Sequence, residues 1–350
     1  MAYTVIDKPS DYFNTVLYTG NGSTQSITGV NFQPDWVWLK QRSGTSNHRC
    51  YDIVRGATKQ IYPNLTNAEN TETNGLTSFN SDGFSLGNEG GHNQNSQTFA
   101  SWNWKAGTSF TNDASSTGVG SIDSAGSFNN DAGFSIVSYT GTGGNETIKH
   151  GMNITPSMII FKNRNTTNNW NVFHKTLGNG KFIRLNESDA PGNTGRFNST
   201  SPTSSVFSVG VNGATAVNGD GNSIIAYCFA EVKGYSKFSS YIGNGNANGT
   251  FVYTGFKPSF ILMKNTADGG ANWQMFDNKR DVDNVANHRL FPSLNNAENS
   301  DTNNNIDIVS NGFKMRTSNG DTNANGSTFI YMAFAENPFV NSKGIPNNAR

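Results

Sequence analysis

Five histidines, 25 acidic side chains and six tryptophans are the main groups through which this 350-residue chain could do chemistry. The histidines, His48, His92, His150, His174 and His288, form neither an HExxH pattern nor a His/Cys cluster with zinc spacing. No Gly-x-Ser-x-Gly elbow or phosphate-binding loop occurs, and Gly243-Asn-Gly245-Asn-Ala-Asn-Gly249 misses the dinucleotide fingerprint by one residue. Asp321-Thr-Asn323-Ala-Asn325-Gly326 resembles half of a calcium loop, but its twelfth position is Met332, where a bidentate Glu is required. The carboxylates are scattered, and none pairs with another in a way that marks a glycosidase. The expectation is a non-enzyme with no catalytic residue, no cofactor and no metal. The tryptophans are better candidates, because an exposed indole can stack on a sugar ring. Trp36, Trp38, Trp102 and Trp104 sit in apolar runs and read as core. Trp170 and Trp273 occupy equivalent loop-edge positions, with His48 nearby in the first case of the same pattern. These three are the candidate glycan or partner contacts.

That pattern is a repeat. Tyr18-Thr-Gly-Asn-Gly22, Tyr139-Thr-Gly-Thr-Gly143 and Tyr241-Ile-Gly-Asn-Gly245 each precede a proline-to-lysine run. The runs are Pro34-Asp-Trp-Val-Trp-Leu-Lys40, Pro156-Ser-Met-Ile-Ile-Phe-Lys162 and Pro258-Ser-Phe-Ile-Leu-Met-Lys264. The lysines and the tyrosines advance together to within one residue, so two anchors give one register. Later anchors keep the order: Tyr51-Asp52, Phe173-His174 and Phe276-Asp277, then Leu65, Leu185 and Leu294. Each copy closes on an aromatic run, Phe99–Trp104, Ile224–Phe229 and Phe329–Phe334. A fixed period of this kind marks repeated structural units.

The proline-to-lysine runs are short, rich in β-branched and aromatic residues, and apolar at both parities. They read as strands buried on both faces. Asp82-Gly83 signals a hairpin, and no segment has a sustained helical period. The fold expected is all-β, with three tandem β-sandwiches of jelly-roll or lectin-like type. The divisions are an N-terminal arm at 1–15, repeat 1 at 16–107, a Gly/Ser/Asn-rich linker at 108–134, repeat 2 at 135–233, repeat 3 at 234–339 and a C-terminal tail at 340–350. The linker has room for one short hairpin around Ala125-Gly126. The ends of the proline-to-lysine runs, Lys40, Lys162 and Lys264, read as solvated strand ends.

Composition narrows the function classes. The chain has 38 glycines, 14% charged residues and a formal net charge of zero. Without a clustered Lys/Arg surface, nucleic acid is not an expected partner. The apolar runs are strand-length, so membrane insertion is not expected either. Cys50 and Cys228 lie at different places in their repeats, which argues against a disulfide. The opening MAYTVIDKPSDYF lacks the basic and apolar regions of a secretory signal.

The segments IDKPSDYFNTVLYTGNGSTQSITGVNFQPDWVWLKQR, YDIVRG, SFNSDGFSLG and FASWNWKAG resemble a repeated domain of virion proteins from tailed bacteriophages of marine bacteria and cyanobacteria. The ending AFAENPFVNSKGIPNNAR is similar to the C-terminus of such proteins. The resemblance covers nearly the whole chain and weakens in repeats 2 and 3, where YDIVRG becomes FHKTLG and FDNKRD. It implies a virion structural protein made in the host bacterial cytoplasm, most readily a tail fibre or spike component that recognises the host surface. The alternatives are a capsid decoration or fixed tail protein and, least, a glycan-degrading tailspike. Implied partners are other virion proteins and host surface glycans, and implied assembly is a homo-oligomer, a trimer first. One of the two flanks, Met1–Asn14 or Val340–Arg350, is expected to dock onto the particle.

Overall fold

The computed structural model describes residues 3–211 and 214–346. It is nearly all β, and its longest helix has five residues. No helix among the described residues is long and apolar enough to cross a membrane.

Each sequence copy builds the same four-stranded antiparallel arrangement. In repeat 1 the opening strand Phe13–Thr19 pairs with the closing strand Thr98–Trp104. The closing strand then pairs with the proline-to-lysine strand Trp36–Gln41, which pairs with Arg49–Asp52. Repeat 2 uses Phe134–Thr140, Ser223–Ala230, Pro156–Asn163 and Asn171–His174 in that spatial order. Repeat 3 uses Ser236–Ile242, Thr328–Pro338, Phe256–Asn265 and Gln274–Asp277. The registers coincide as well. Trp36 faces Trp104 and Trp38 faces Trp102; Met158 faces Phe229 and Ile160 faces Tyr227; Phe260 faces Phe334 and Leu262 faces Met332.

Strand alternation sends these pairs to one side and their neighbours to the other. Val37 and Leu39 pack with Phe84 and Leu86 of a small three-stranded sheet, completing a sandwich. Ile261 and Met263 do the same with Phe313 and Met315. In repeat 2 the second layer described is thinner, the pair Glu146–Lys149 and Val206–Val209 with a single bridge from Ile122 to Ile148. The other faces of the three large sheets meet one another. Trp36, Trp104, Phe134, Phe229, Phe260 and Phe334 all belong to one buried cluster. Trp36 stacks on Tyr227 at 4.4 Å between ring centres, and Phe13 stacks on Phe334 at 5.1 Å. The three copies therefore surround a shared aromatic centre as well as three private ones.

The Tyr-x-Gly-x-Gly element has a structural role in every copy. The tyrosine hydroxyl donates to a carbonyl of the short helix before the closing strand: Tyr18 to His92, Tyr139 to Val217, Tyr241 to Thr322. A Cβ on the first glycine would lie 2.2–2.4 Å from a backbone oxygen there, which explains the glycine. Asn93, Asn218 and Asn323 then clamp the turn, each accepting from a backbone N–H at 3.0 Å. The calcium-like segment around Asn323 is this clamp.

Three expectations need correction. Residues 108–134 are not a loose linker. Thr108–Asn112 and Ser124–Asn129 are strands that extend the repeat 2 sheet beyond Phe134–Thr140. The expected hairpin tip at Ala125-Gly126 lies inside the second of these strands, and the chain reverses after Asn129. Glycine suits the strand because a Cβ at Gly126 would meet the Ile136 carbonyl at 1.9 Å. The 1–15 arm gives Phe13–Thr15 to the first strand. The described parts of both flanks pack on the chain itself: the Tyr3 and Tyr253 hydroxyls are 3.0 Å apart, and Asp7 accepts from the Ser342 N–H at 2.7 Å. Met1, Ala2 and residues 347–350 of those flanks lie outside the described residues.

Candidate functional site: the junctions between copies

The three residues singled out from the sequence are not surface platforms. Trp170 and His48 are fully buried and Trp273 is 1% exposed. Their equivalence is real, but each immediately precedes a strand, at Arg49–Asp52, Asn171–His174 and Gln274–Asp277, where one copy abuts the next. The Trp170 indole N–H donates to the Tyr62 carbonyl of repeat 1 at 2.8 Å. Trp273 donates to the Arg184 carbonyl of repeat 2 at 2.8 Å. His48 accepts from the Trp38 indole at 2.9 Å, and the backbone of Phe291 in repeat 3 acts on its ring. Burial first, then the charge of Lys40, holds this imidazole well below its ordinary pKa.

The contacts run head to tail: repeat 2 onto 1, repeat 1 onto 3, repeat 3 onto 2. A heterologous contact of this kind closes into a ring when the rotation fits, and here it closes after three copies. Two of the junctions carry the same buried network. Where repeat 2 meets repeat 1, the Tyr227 hydroxyl donates to Asp52 Oδ2 at 2.7 Å. Arg55 Nε donates to the same oxygen at 2.5 Å and its Nη1 to Glu69 Oε2 at 3.1 Å. Arg164 of repeat 2 then holds Glu69 by two bonds of 2.9 and 3.0 Å. Where repeat 1 meets repeat 3, Trp102 donates to Asp277 Oδ2 at 3.1 Å. Arg280 links Asp277 at 2.6 Å to Glu298 at 3.1 Å, and Arg42 holds Glu298 at 3.0 and 2.7 Å. The side chains of Asp52, Arg55, Asp277 and Arg280 have no exposed surface. Burial alone would raise the Glu69 and Glu298 carboxyls, but the arginines hold both below the ordinary glutamate value.

The third junction is built otherwise. Met332 stands where Trp102 and Tyr227 stand, His174 where the aspartates stand, Leu177 where Arg55 and Arg280 stand, and Thr266 where Arg42 and Arg164 stand. His174 Nε2 donates to the Tyr331 carbonyl at 3.2 Å, and its Nδ1 lies 2.9 Å from the Thr176 hydroxyl. Burial lowers its pKa to about 4, so the ring is neutral at pH 7. The sequence displays the Asp-to-His exchange at position 174, but taken alone it does not show what else is exchanged with it. Comparing all four positions across the copies would have revealed a junction whose partners change together.

The repeated lysines are also buried, against expectation: Lys40 is 1% exposed, and Lys162 and Lys264 are 0%. Each ammonium donates to the carbonyl that follows it, at Gln41, Asn163 and Asn265. Lys162 and Lys264 also reach across their junctions, to Thr66 and Ser188. Burial lowers Lys40 to about 7 and Lys162 and Lys264 to about 8.

Among the described residues, no group of three or more His, Cys, Asp and Glu is placed to hold a metal. The surface hollows lie apart from the networks above. One of about 300 Å³ lies at the third junction, lined by Phe182, Arg184, Asp189, Ala190, Gly192 and Gly269. In comparison with known families, residues 8–338 match a family model described as a domain of unknown function (DUF7483). No curated protein matches the chain.

Proposed function

We propose, for a chain that belongs to the DUF7483 family over nearly its whole length, the role of a bacteriophage virion structural protein, a tail fibre or spike component that displays β-sandwiches for host-surface recognition. The observation that carries this reading is the closed three-copy ring. The largest apolar faces of the sheets are turned toward one centre, and what remains outside is mostly short, polar, Asn/Gly/Ser-rich turns. Such a body presents loops on a rigid base, which is how binding surfaces are commonly arranged. The family match runs from before the first strand into the last strand, so the unit that recurs is the whole ring rather than one sandwich.

The proposed partners are other virion proteins and host surface glycans. One chain already supplies three equivalent faces to each other, so a threefold site could be filled by a single copy, and a homotrimer would need a further surface. The proposed role is non-enzymatic. The test is localisation by labelled antibody on intact virions. Label at the tail or its fibres supports host recognition. Label spread regularly over the head overturns it in favour of a capsid decoration protein.

A further inference from the structure

All six tryptophans are buried. Among the described residues only two aromatic side chains are exposed, Phe251 at 47% and Tyr253 at 54%. Both stand on the strand Phe251–Tyr253, an edge of the outer sheet of repeat 3. Positions two apart on a strand share a face and lie about 6.6 Å apart along it. Val252, between them, points inward and is buried in the private core of repeat 3. The two rings therefore lie side by side on the outside of the molecule.

The repeat does not require them. Val252 faces Phe313, as Ile27 faces Phe84 in repeat 1 and Ile148 faces Phe207 in repeat 2. The positions of Phe251 and Tyr253 are held by Ser26 and Thr28 in repeat 1 and by Thr147 and Lys149 in repeat 2. Further across the same face, Lys314 and Asp307 of repeat 3 stand where repeat 1 has Ser85 and Ser78. Two copies form this strand without an aromatic ring, so packing does not explain the pair. Clustered apolar surface that the fold leaves open marks a contact site.

The surroundings indicate the kind of contact. The Tyr253 hydroxyl is 3.0 Å from that of Tyr3, which also donates to the Gly255 carbonyl at 3.3 Å. The Lys233 ammonium lies 4.6 Å from the centre of the Tyr3 ring. Tyr253 is thus held at its hydroxyl while its ring stays open, which lowers the cost of ordering it on binding. A hollow of about 240 Å³ adjoins it, with Tyr3, Glu231, Lys233 and Lys237 in the wall beside Tyr253. Lys314, directly opposite Phe251, donates to Asn248 Oδ1 at 2.6 Å. Two rings offer far less than the about 800 Å² that each partner of a stable protein complex covers. Aromatic faces with hydrogen-bonding groups at their margins match a pyranose, which has an apolar face of C–H groups and a rim of hydroxyls.

We propose that Phe251 and Tyr253 form a stacking platform for the pyranose rings of a glycan. The polar wall of the adjoining hollow and the Lys314–Asn248 pair bond its hydroxyls. The proposal rests on the host-glycan reading above and places that contact in repeat 3 alone.

The experiment is binding of the full chain to an array of purified bacterial O-polysaccharides and capsular polysaccharides, followed by calorimetric titration with the best-bound one. The comparison is the double variant Phe251→Ser, Tyr253→Thr, which installs the residues that repeat 1 carries. Binding by the parent that falls about tenfold or more in the double variant supports the proposal. Phe251→Ser alone leaves the Tyr3 contact intact; it should keep the parent's melting temperature and still bind more weakly. Equal binding by parent and variants overturns the platform and leaves the host-glycan reading standing. A parent that binds no polysaccharide overturns both. A parent that self-associates in sedimentation, with a double variant that does not, overturns the platform in favour of a second copy seated on the rings.

Discussion

Repeat 2 meeting repeat 1, and repeat 1 meeting repeat 3, use Tyr or Trp, Asp, Arg, Glu and Arg in a continuous buried chain. Repeat 3 meeting repeat 2 uses Met332, His174, Leu177, Asp189 and Thr266 at the same positions. Only the acid position keeps its charge, in Asp189, which pairs with Arg184 of its own copy rather than across the junction. The physical reason is that a half-satisfied network is worse than either extreme. Removing one partner from a buried pair strands the other, whereas exchanging both for apolar groups is often neutral. The repeat has therefore exchanged a unit of interaction rather than single residues. His174 fits the unit because, as a neutral ring, it bonds to a backbone carbonyl and needs no opposing charge.

The largest effect expected is at the ion-paired junctions. Arg55→Leu alone leaves Asp52 and Glu69 buried without it and should cost about 3–5 kcal/mol. Adding Asp52→His and Tyr227→Met, the set found at the third junction, should recover most of that loss in urea denaturation. If the triple variant is less stable than Arg55→Leu, the idea of a transferable unit fails.

Acid should separate the junctions next. His174 has a folded pKa near 4, below its unfolded value of about 6.5. The unfolded chain thus binds more protons between these values, and stability is lost as pH falls through that window. His174→Gln should flatten part of the slope, with the rest left to the other buried imidazoles of His48, His92 and His150, which are shifted in the same direction. Glu69 and Glu298 are shifted below their unfolded value of about 4.3. Their contribution is complete above that pH and is lost only below it. Hydrogen exchange across a pH series should show the third junction loosening first. Simultaneous loosening of all three would contradict the assignment.

The lysines should show no such difference, because all three are buried alike. Their folded pKa values of about 7 to 8 lie below the unfolded value of about 10.4. Stability should therefore rise as pH climbs through that interval. Lys264→Met should remove a share of the rise as measured by denaturation midpoint, and a midpoint that falls from pH 7 to 9 in the parent would refute the shift. The smallest effect is expected of Trp273→Phe and Trp170→Phe. Each removes one bond to a backbone carbonyl, worth about 1 kcal/mol.

Much of the fold could be read from residues alone. Trp36-Val-Trp-Leu39 and its counterparts, apolar at both parities, imply strands covered on both faces, and Asp82-Gly83 does form the turn into Gly83–Leu86. The site was harder to read. Trp170 meets Tyr62, and Trp273 meets Arg184, across about a hundred residues of chain. Nothing local distinguishes an indole waiting for a neighbour from one facing water. Lysine is rarely buried unless its charge is answered, and here the answer comes from main-chain carbonyls, which sequence does not display. Residues 108–134 have the composition of a linker, yet repeat 2 offers them an open strand edge. Context of that kind outweighs β-propensity.

Ring closure between repeats 1 and 3 has a consequence for how the chain is made. Arg42 must find Glu298, and Trp102 must find Asp277, although the first partner of each pair leaves the ribosome long before the second. Until then the centre toward which repeat 1 holds Trp36, Trp38, Trp102 and Trp104 lacks the wall that Phe260 and Phe334 of repeat 3 supply. Contacts of such sequence separation fold slowly, and exposed apolar surface during that delay favours aggregation. A chain stopped after repeat 2 would be a sticky intermediate. The strand Thr328–Pro338, synthesised long after repeat 1, is the one whose arrival removes that hazard.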